Sequence, residues 1–415
     1  MQNDPVSQTN QAMQMEETTC CIVGSGPAGA LLALLLARQG IPVMLLEEHM
    51  DFDRDFRGDT IHPSVMQIMD EIGLADRVLQ VRHTRVKDIS VQTAEGKVTL
   101  VDFSHLKTRF PFITMLPQVR FLELLTAEAK NYPNFQLVMG ARAEKLIEED
   151  GYVHGVQYRM KDGWHEVRAV LTVGADGRFS RLRRLSGFEP IKTAKPMDVL
   201  WFHLPRKEDD VQESGGSIVN GRMLIFFNRI DYWHVGIVVP KGGYQVLRAA
   251  GLEALRKDMG EMLPWIGERM ETVQQWKQIS VLAVESSRLR RWYRPGLLLI
   301  GDAAHVMSPI LGVGINYAIQ DAVVAANVLG DSLKAGKVRL KDLARIQHDR
   351  ERPVQVIQTV QDLMQRRIVD KAMTKSDEQF VIPPLIRFVL QIPLINDIQA
   401  RFIAFGLRRV RVKKP

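Results

Sequence analysis

The chain has 415 residues, of which 46% are hydrophobic and 25% are charged, and its formal net charge is +7. This composition excludes a disordered or fibrous protein, and the length allows two domains around a large core. The basic residues are dispersed, without zinc-finger spacing or an RNA-binding motif, so small anionic ligands are expected rather than nucleic acid.

The first residues give no sign of export or membrane insertion. Residues 1–17 are polar and lack Lys and Arg, which predicts a disordered leader rather than a secretory signal. The most apolar run, from Ala30 to Ala37, is far shorter than the roughly 20 residues of a membrane span. Cys20 and Cys21 are adjacent and would point to opposite faces of a strand, so they are poorly placed to pair. A reducing, cytoplasmic location is therefore expected.

A strand–turn–helix–strand pattern comes next. A strand predicted over Thr18–Val23 leads into a glycine-rich turn and an apolar helix, and a second strand is predicted over Ile41–Leu46. In this context the turn predicts a dinucleotide site, with one glycine for the tight turn, one for close approach of a pyrophosphate and one for helix–strand packing. Its residues are Gly24, Gly26, Pro27, Ala28 and Gly29.

Two acidic residues end the second strand. Glu47 follows Gly29 by 18 residues, close to the spacing of about 20 at which a carboxylate binds the ribose of a dinucleotide. Strand alternation does not decide between Glu47 and Glu48, and the turn alone does not distinguish FAD from NAD.

Two later motifs each follow a predicted strand. Gly174-Ala175-Asp176-Gly177-Arg178 comes after the strand-like run Ala169–Val173. Gly301-Asp302-Ala303-Ala304-His305 comes after Gly296–Ile300, and Pro309, a further glycine motif and a helix over Tyr317–Leu329 follow it. The glycine motif consists of Gly312, Val313, Gly314, Ile315 and Asn316.

These three motifs, in this order and spacing, resemble the FAD-dependent aromatic hydroxylases, the group A flavin monooxygenases of the para-hydroxybenzoate hydroxylase type. The resemblance covers roughly residues 18–365. It implies a Rossmann-like FAD-binding domain of the glutathione reductase type, an inserted β-sheet substrate domain and a C-terminal helical segment. FAD would be tightly but non-covalently bound.

The resemblance also implies roles for individual residues. The first glycine motif would hold the ADP half of FAD, and Asp302 would bind a ribityl hydroxyl. Asp176 and Gly177 would touch FAD and the NAD(P)H co-substrate. Pro309, Gly312 and Gly314 would lie beside the flavin ring, with the N–H groups of Gly312–Asn316 near flavin N1 and O2.

Further cofactor contacts are implied for Arg57, Gln118 and Arg120. Arg57 would lie by the FAD phosphates or ring, and Gln118 and Arg120 would act from the start of a helix over Val119–Ala129. A surface arginine is the alternative for Arg57 and for Arg120. The family often has adjacent glycines before the last motif, whereas Leu311 precedes Gly312 here and Val313 separates the two glycines, so this loop differs from the family.

The domains are predicted to be discontinuous. The FAD-binding domain would comprise residues 18–85, 104–190 and 286–365, and the substrate domain residues 86–103 and 191–285, where strand-like alternation recurs. Residues 366–415 would form a helical region with a basic tail. This tail could make peripheral contact with an anionic membrane, but packing of its helix on the core is the favoured alternative.

The implied reaction is insertion of one oxygen atom from O2 into an aromatic or polycyclic substrate, through a flavin C4a-hydroperoxide formed after transient NAD(P)H reduces FAD. No protein nucleophile and no metal are expected. A base could deprotonate a phenolic substrate, with His62, His203, Tyr232 and His234 as candidates. The sequence does not identify the substrate, the choice between NADH and NADPH, or the oligomeric state.

Three alternatives remain open. One is an FAD-dependent reductase or dehydrogenase of isoprenoid double bonds. Another is a flavin halogenase, although Pro264-Trp265-Ile266 lacks the second tryptophan of the halogenase motif. The third is a non-catalytic flavoprotein that only binds a ligand.

Overall fold

The computed structural model describes residues 14–53, 59–93, 96–192, 197–210, 214–219, 222–373 and 392–413. The strands of these ranges are β1 Gln14–Val23, β2 Val43–Glu47, β3 Thr60–Ile61, β4 Thr84–Val86, β5 Asp88–Thr93, β6 Gly96–Asp102, β7 Ile113–Met115, β8 Phe135–Met139, β9 Arg142–Glu149, β10 Tyr152–Met160, β11 Gly163–Gly174, β12 Ile191–Lys192, β13 Met197–Pro205, β14 Gly215–Val219, β15 Arg222–Asn228, β16 Tyr232–Pro240, β17 Ser280–Val284, β18 Ser287–Arg288, β19 Tyr293–Arg294, β20 Leu297–Leu299 and β21 His305–Val306.

The helices alternate with these strands, and short 3-10 turns occur at Met270–Thr272, Trp276–Gln278, Gly301–Ala303 and Ile310–Gly312. The helices are α1 Pro27–Arg38, α2 Pro63–Glu71, α3 Ala75–Gln80, α4 Gln118–Ala129, α5 Arg181–Leu185, α6 Gly243–Ala250, α7 Leu252–Met262, α8 Pro264–Gly267, α9 Gly314–Lys334, α10 Leu340–Met373 and α11 Pro393–Phe405.

The first large sheet is doubly covered and mostly parallel. Its strands run in the order β19-β20-β11-β1-β2-β8, with β9 and β10 added through β11. Alternate residues of a strand are buried on opposite faces of this sheet. Cys20 packs with α1, α4 and α9 on one face, and Cys21 packs on the other face. Because β1, β11 and β20 are parallel, their carboxyl ends lie at one edge of the sheet, where ligands of open α/β sheets bind.

β1 is longer than the sequence predicted. Gln14–Glu17 pair in parallel register with His165–Arg168 of β11, and residues 14–17 therefore belong to the sheet rather than to a disordered leader. The sequence did not reveal this end of the strand, because its residues are polar and its backbone pairs with the distant strand β11. Residues 1–13 lie outside the described part of the chain.

The second large sheet is almost entirely antiparallel, in the order β17-β13-β16-β15-β14-β5-β6. One face carries Leu200, Phe202 and Trp233 and packs on α7 and α8. The other face carries Trp201 and packs towards Ile310, in the loop that precedes α9. The second sheet thus presents one face to the cofactor motifs.

The C-terminal segment, residues 392–413, packs on α2 and α9. The Val412 N–H donates to Glu71 Oε2 of α2, and the Lys413 N–H donates to Asn327 Oδ1 of α9, both at 2.8–2.9 Å. The His62 ring bonds the Ile403 carbonyl of α11. These contacts favour the packed alternative for α11 and its tail.

Neither a membrane-spanning helix nor a cluster of metal ligands occurs in the described ranges. No helix there has the length and apolarity needed to cross a bilayer. Likewise, no group of three or more His, Cys, Asp or Glu side chains there could hold a metal ion.

Candidate active site

The glycine turn after β1 leaves space for a ligand at one position. Gly24 has φ +99°, and a Cβ there would lie 2.5 Å from the Ala175 carbonyl oxygen. A Cβ on Gly29 would lie 1.9 Å from the Gly24 carbonyl oxygen, so helix and turn are in direct contact. By contrast, a Cβ on Gly26 would meet only one atom, Ala175 O at 4.0 Å. The backbone at Gly26 therefore faces open space.

The same turn has the donors that a pyrophosphate needs. α1 begins at Pro27 with Gly26 as its N-cap, and neither a side-chain cap nor an acidic residue is present in its first turn. The buried Ser25 hydroxyl has no partner among the described residues. Open space, uncapped N–H groups and the positive end of the helix dipole together fit an anionic dinucleotide backbone.

The two acids after β2 point in different directions. Glu47 is buried, and its Oε2 accepts the Ser25 N–H at 2.9 Å while its Oε1 accepts the His49 N–H at 3.1 Å. The Glu48 side chain is 53% exposed and pairs with Arg142 at 3.0 Å. Glu47 therefore lies against the glycine turn, and Glu48 lies on the surface.

The Asp-Gly motif forms a helix cap. The carboxylate of Asp176 accepts the Arg181 and Leu182 N–H groups at 2.6 and 3.0 Å, and the Ser180 hydroxyl at 2.6 Å. Burial raises the pKa of Asp176, although these donors oppose the shift. Gly177 has φ +78°. Both residues lie at the end of β11, but the carboxylate bonds α5.

Arg183 connects the Asp-Gly and Gly-Asp motifs. Its guanidinium donates to the carbonyls of Asp302 and Ala303 at 3.1–3.2 Å and to the Arg178 carbonyl at 2.6 Å. Because each of these is a backbone acceptor, the contact fixes the path of both motifs. This linking role of Arg183 was not predicted from the sequence.

The Gly-Asp motif packs tightly at its first residue. Gly301 has φ +59°, and a Cβ there would lie 3.3 Å from the Cβ atoms of both Ala28 and Ala318. The turn is thereby wedged between the start of α1 and α9. Asp302 is partly exposed at this edge of the sheet, next to the start of α1.

The loop before α9 is bound to β3. The Thr60 hydroxyl donates to the Gly312 carbonyl at 2.7 Å, and the His62 N–H donates to Asn316 Oδ1 at 2.9 Å. Leu311 and Gly312 both have positive φ, +69° and +61°. Leu311 therefore adopts a backbone conformation that favours glycine, at a cost of about 1–2 kcal/mol. The helix itself starts at Gly314, with Val313 as its N-cap and Ile315 in its first turn.

The remaining predicted cofactor residues lie at the start of α4, in the loop before α9, or outside the described residues. Gln118 is buried, and its N–H donates to Asp59 Oδ1 at 3.0 Å. The Arg120 side chain is 62% exposed and pairs with Glu123. Arg57 belongs to residues 54–58, which are outside the described part of the chain. Pro309 opens the loop that ends at Gly312.

Three of the four candidate bases form one cluster on the second sheet. The ring of His203 lies 4.5 Å from that of Tyr232 and 5.0 Å from that of His234, centroid to centroid. Trp201 lies 4.5 Å from His234 and 6.1 Å from Phe227. A Cβ on Gly236 would be 2.6 Å from the Trp201 ring, so this glycine makes room for the indole.

The fourth candidate, His62, lies apart from this cluster. It is fully buried, and burial lowers its pKa to about 4. Burial, together with Arg229 and His203, lowers the pKa of His234 to about 3. Both imidazoles are therefore neutral near pH 7.

A largely buried ion pair, not found from the sequence, joins the second large sheet to the residue before β3. Arg229, at the β15–β16 turn, pairs with Asp59; their side chains are 7% and 15% exposed. Burial lowers the pKa of Arg229 to about 10, so it remains a cation near pH 7. Asp59 also accepts the Gln118 N–H, and the pair thus places a positive charge between His234 and the start of α4.

Comparisons with known proteins agree with this architecture. The family model for the FAD binding domain matches residues 17–359. The chain is 33% identical over 407 residues to 6-methylpretetramide 4-monooxygenase of Streptomyces rimosus, covering 95% of this chain and 94% of that protein.

Solved structures show the same fold. OxyS anhydrotetracycline hydroxylase of Streptomyces rimosus has a TM-score of 0.72 at 23% identity, covering 96% of this chain and 78% of the other. PqsL of Pseudomonas aeruginosa in complex with 2-aminobenzoylacetate has a TM-score of 0.74 at 22% identity, covering 86% of this chain and 98% of the other.

Proposed function

Because this chain belongs to the FAD-dependent aromatic hydroxylase family and is an FAD-dependent monooxygenase, we propose that its substrate is a polycyclic aromatic compound. The observation that supports this most strongly is the 33% identity, over nearly the full length of both chains, to 6-methylpretetramide 4-monooxygenase. One oxygen atom of O2 would be inserted into the substrate, with electrons from NADPH or NADH.

The residues proposed to hold FAD follow the edge of the first sheet. Gly24–Gly29 and the start of α1 would bind the pyrophosphate, Glu47 the adenosine ribose, and Asp302 the ribityl chain. The start of α9, from Gly312 to Asn316, would place N–H groups and a positive dipole end beside the flavin ring. Bound FAD supplies the redox and oxygen chemistry, and the protein supplies binding, orientation and exclusion of water.

The substrate is proposed to lie on the Trp201 face of the second sheet. This face is apolar and aromatic over much of its area. It packs towards Ile310, in the loop before α9. Its polar end holds His203, Tyr232 and His234, with the Arg229 cation next to them. An apolar surface with one polar end suits a planar polycycle that carries phenol or enol groups.

A role for the polar end follows from charge. The neutral ring of His234 would either accept a hydrogen bond from a substrate hydroxyl or donate one to it. Arg229 would stabilise the oxyanion that forms when that hydroxyl loses its proton, because a nearby opposite charge favours the ionised form. A phenolate is richer in electrons than a phenol, which favours attack on an electrophilic oxygen.

NADPH is proposed as the reductant, with Arg184 as its phosphate contact. Arg178 and Arg183 donate to backbone carbonyls, and Arg181 pairs with Glu144. Arg184 is exposed at the end of α5, where a nucleotide could reach it from solvent. Replacing Arg184 by alanine should raise the KM for NADPH several-fold and leave that for NADH unchanged.

The reaction is tested with purified protein, a panel of anthraquinone and tetracycline-like compounds, NADPH and ¹⁸O2. We expect a yellow protein, one or more compounds that accelerate NADPH oxidation, and one ¹⁸O atom in the product by mass spectrometry. Reduction of a substrate double bond in the absence of O2, without oxygen incorporation, would instead establish the reductase alternative.

Two neighbouring residues provide a matched test of the substrate face. Phe227 stacks on Trp201, whereas Phe226 lies on the opposite face against Trp233 and Trp265. Phe227→Leu should raise the substrate KM about tenfold by removing aromatic contact, and Phe226→Leu should leave it within about twofold. Equal effects of the two substitutions would refute this placement of the substrate.

A further inference from the structure

A buried carboxylate on α9 binds the Gly-Asp motif from behind. Asp321 Oδ2 accepts the Gly301 N–H at 3.0 Å and the His305 Nε2–H at 2.6 Å. Its Oδ1 accepts the Nε–H of Arg350, from α10, at 2.7 Å. The side chains of Asp321 and Arg350 are both completely inaccessible to solvent. One carboxylate therefore joins the first and last residues of the motif to two helices.

This cluster is charged and lies in a dry environment. Burial would raise the pKa of Asp321, but the charges and hydrogen bonds of His305 and Arg350 together lower it below its usual value. The two terminal nitrogens of Arg350, the Tyr317 hydroxyl and His305 Nδ1 have no hydrogen-bond partner among the described residues. Arg350 lies over the Tyr317 ring, 5.4 Å from its centroid. Asp321 is thus the shared acceptor of the three donors that do find a partner here, the Gly301 N–H, the His305 Nε2–H and the Arg350 Nε–H.

The geometry of the motif explains why such a clamp matters. Gly301 has φ +59°, a conformation that its neighbours must hold, and its N–H is one of the groups that Asp321 binds. Asp302 comes next in the chain and is the residue proposed to bind the ribityl chain. A rotation at Gly301 would displace Asp302.

We propose that Asp321, held by Arg350, is a positioning residue that fixes the Gly301–His305 turn in the conformation that binds FAD. It does not touch the cofactor and acts through the turn. This inference rests on the assignment of that turn to FAD in the proposed function.

The substrate domain contains a matched control. Asp210 also accepts one backbone N–H, from Lys207, one aromatic ring N–H, from Trp233, and one guanidinium, from Arg269. Its side chain is 10% exposed and that of Arg269 is 6% exposed. Asp210 thus has the same three kinds of donor as Asp321, but it lies away from the Gly-Asp motif.

The test titrates FAD into apoprotein and measures Kd by flavin fluorescence, with urea unfolding of each apoprotein alongside. Asp321→Asn should raise Kd by about tenfold or more, because an amide presents a donor where three donors already converge. Asp210→Asn should reduce stability to a similar extent and leave Kd within about twofold. An unchanged Kd for Asp321→Asn, or an equal rise for Asp210→Asn, would overturn the inference.

Arg350 provides a second pair of variants should Asp321→Asn fail to fold. Arg350→Met removes the charge and should raise Kd about tenfold, whereas Arg350→Lys keeps the charge and should restore Kd to within about threefold of the original. Equal Kd values for both variants and the unaltered protein would also overturn the inference. Failure of the unaltered apoprotein to bind FAD would instead refute the FAD site itself.

Discussion

Single residues of the glycine turn differ in what an added methyl group would meet. At Gly24 the methyl group would collide with the Ala175 carbonyl, whereas at Gly26 it would project into open space. The N-cap angles of Gly26, φ −72° and ψ −177°, are open to alanine. If the turn binds the cofactor as proposed, protein stability and cofactor binding place separate demands on these two glycines.

Alanine substitutions should separate these demands. Gly26→Ala should leave the free energy of unfolding of the apoprotein within about 0.5 kcal/mol and weaken FAD binding at least about tenfold. Gly24→Ala should destabilise the apoprotein itself by about 2–4 kcal/mol. Urea unfolding and FAD titration measure the two quantities, and tight FAD binding by Gly26→Ala would exclude a pyrophosphate at this turn.

The two neighbouring acids offer a second matched pair. Glu47→Gln should weaken FAD binding about tenfold, because the charged acceptor of a ribose hydroxyl is lost. Glu48→Gln should leave FAD binding unchanged, since Glu48 pairs with Arg142 at the surface. The two dissociation constants are measured by fluorescence titration, and the reverse order would reassign the ribose contact to Glu48.

His62 predicts a pH dependence of stability. Its pKa is lowered to about 4 in the folded protein, against about 6.5 in an unfolded chain. Between these values only the unfolded chain binds the proton, so the stabilising contribution is present above pH 6.5 and is lost as the pH falls towards 4.

Urea unfolding at pH 7 and pH 4.5 tests this prediction. His62→Gln should lose about 2–3 kcal/mol less stability over this interval than the unaltered protein. His348→Gln, at an exposed side chain, is the control for a His-to-Gln substitution as such. A slope unaffected by His62→Gln would mean that folding does not lower the pKa of His62.

Among the secondary-structure elements, α5 shows how a motif can serve the fold. The first two N–H groups of this five-residue helix bond Asp176, and the third bonds Ser180. Such a short helix depends on its caps. The Asp-Gly motif therefore contributes to the site by holding α5, and with it Arg183 and Arg184, at the end of β11.

Substitutions of Asp176 distinguish this cap from a direct cofactor contact. Asp176→Ala should cost about 1–2 kcal/mol of stability, whereas Asp176→Asn should cost less, because asparagine is also a good cap. If capping is the main role, Asp176→Asn should keep the KM for NADPH within about twofold. A large rise in KM with normal stability would indicate direct contact with the nucleotide.

At the scale of the whole molecule, two ion pairs connect the β15–β16 turn of the second sheet to the segments just before β3 and β4. Arg229 makes a buried pair with Asp59, and two residues later Asp231 makes an exposed, bidentate pair with Arg82 at 2.8 Å. Ile230 between them has φ +71°. This turn thus contributes to the position of the Trp201 face relative to the loop before α9.

The two ion pairs of this turn should differ in energy. Arg229→Met should lower the free energy of unfolding by about 3–5 kcal/mol, since it leaves Asp59 buried without its partner. Arg82→Met should lower it by less than about 1 kcal/mol, because that pair is exposed. Urea denaturation measures both, and equal losses would show that water reaches the Asp59–Arg229 pair.

Local patterns predicted the parts of the fold that depend on local sequence. The alternation that separates Cys20 from Cys21 is a property of any strand and is confirmed. The strand–turn–helix–strand pattern likewise predicted α1, whose residues from Ala28 to Ala37 are all buried. The pattern did not show that Gln14–Glu17 extend β1, because that pairing depends on β11, far along the chain.

Pairings between distant residues were beyond the sequence. Asp321 stands in an apolar helix, and a lone carboxylate in such a setting could have been singled out as a buried acceptor. Nothing in the charged sequence around Arg350 identified it as the partner. Asp59 and Arg229 are similarly ordinary in sequence, and only the tertiary fold brings these distant residues together.

The order of strands in the first sheet has a consequence for biosynthesis. β1 carries the glycine turn, but its neighbour β11 begins at Gly163, and β20, which leads to the Gly-Asp motif, begins at Leu297. A nascent chain can pair β1 with β2 early, but more than a hundred further residues must be made before β11 can pair with the other side of β1. The proposed FAD site, which includes the Gly-Asp motif, would therefore be complete only after most of the chain has been made, and FAD would stabilise the finished fold by binding to it.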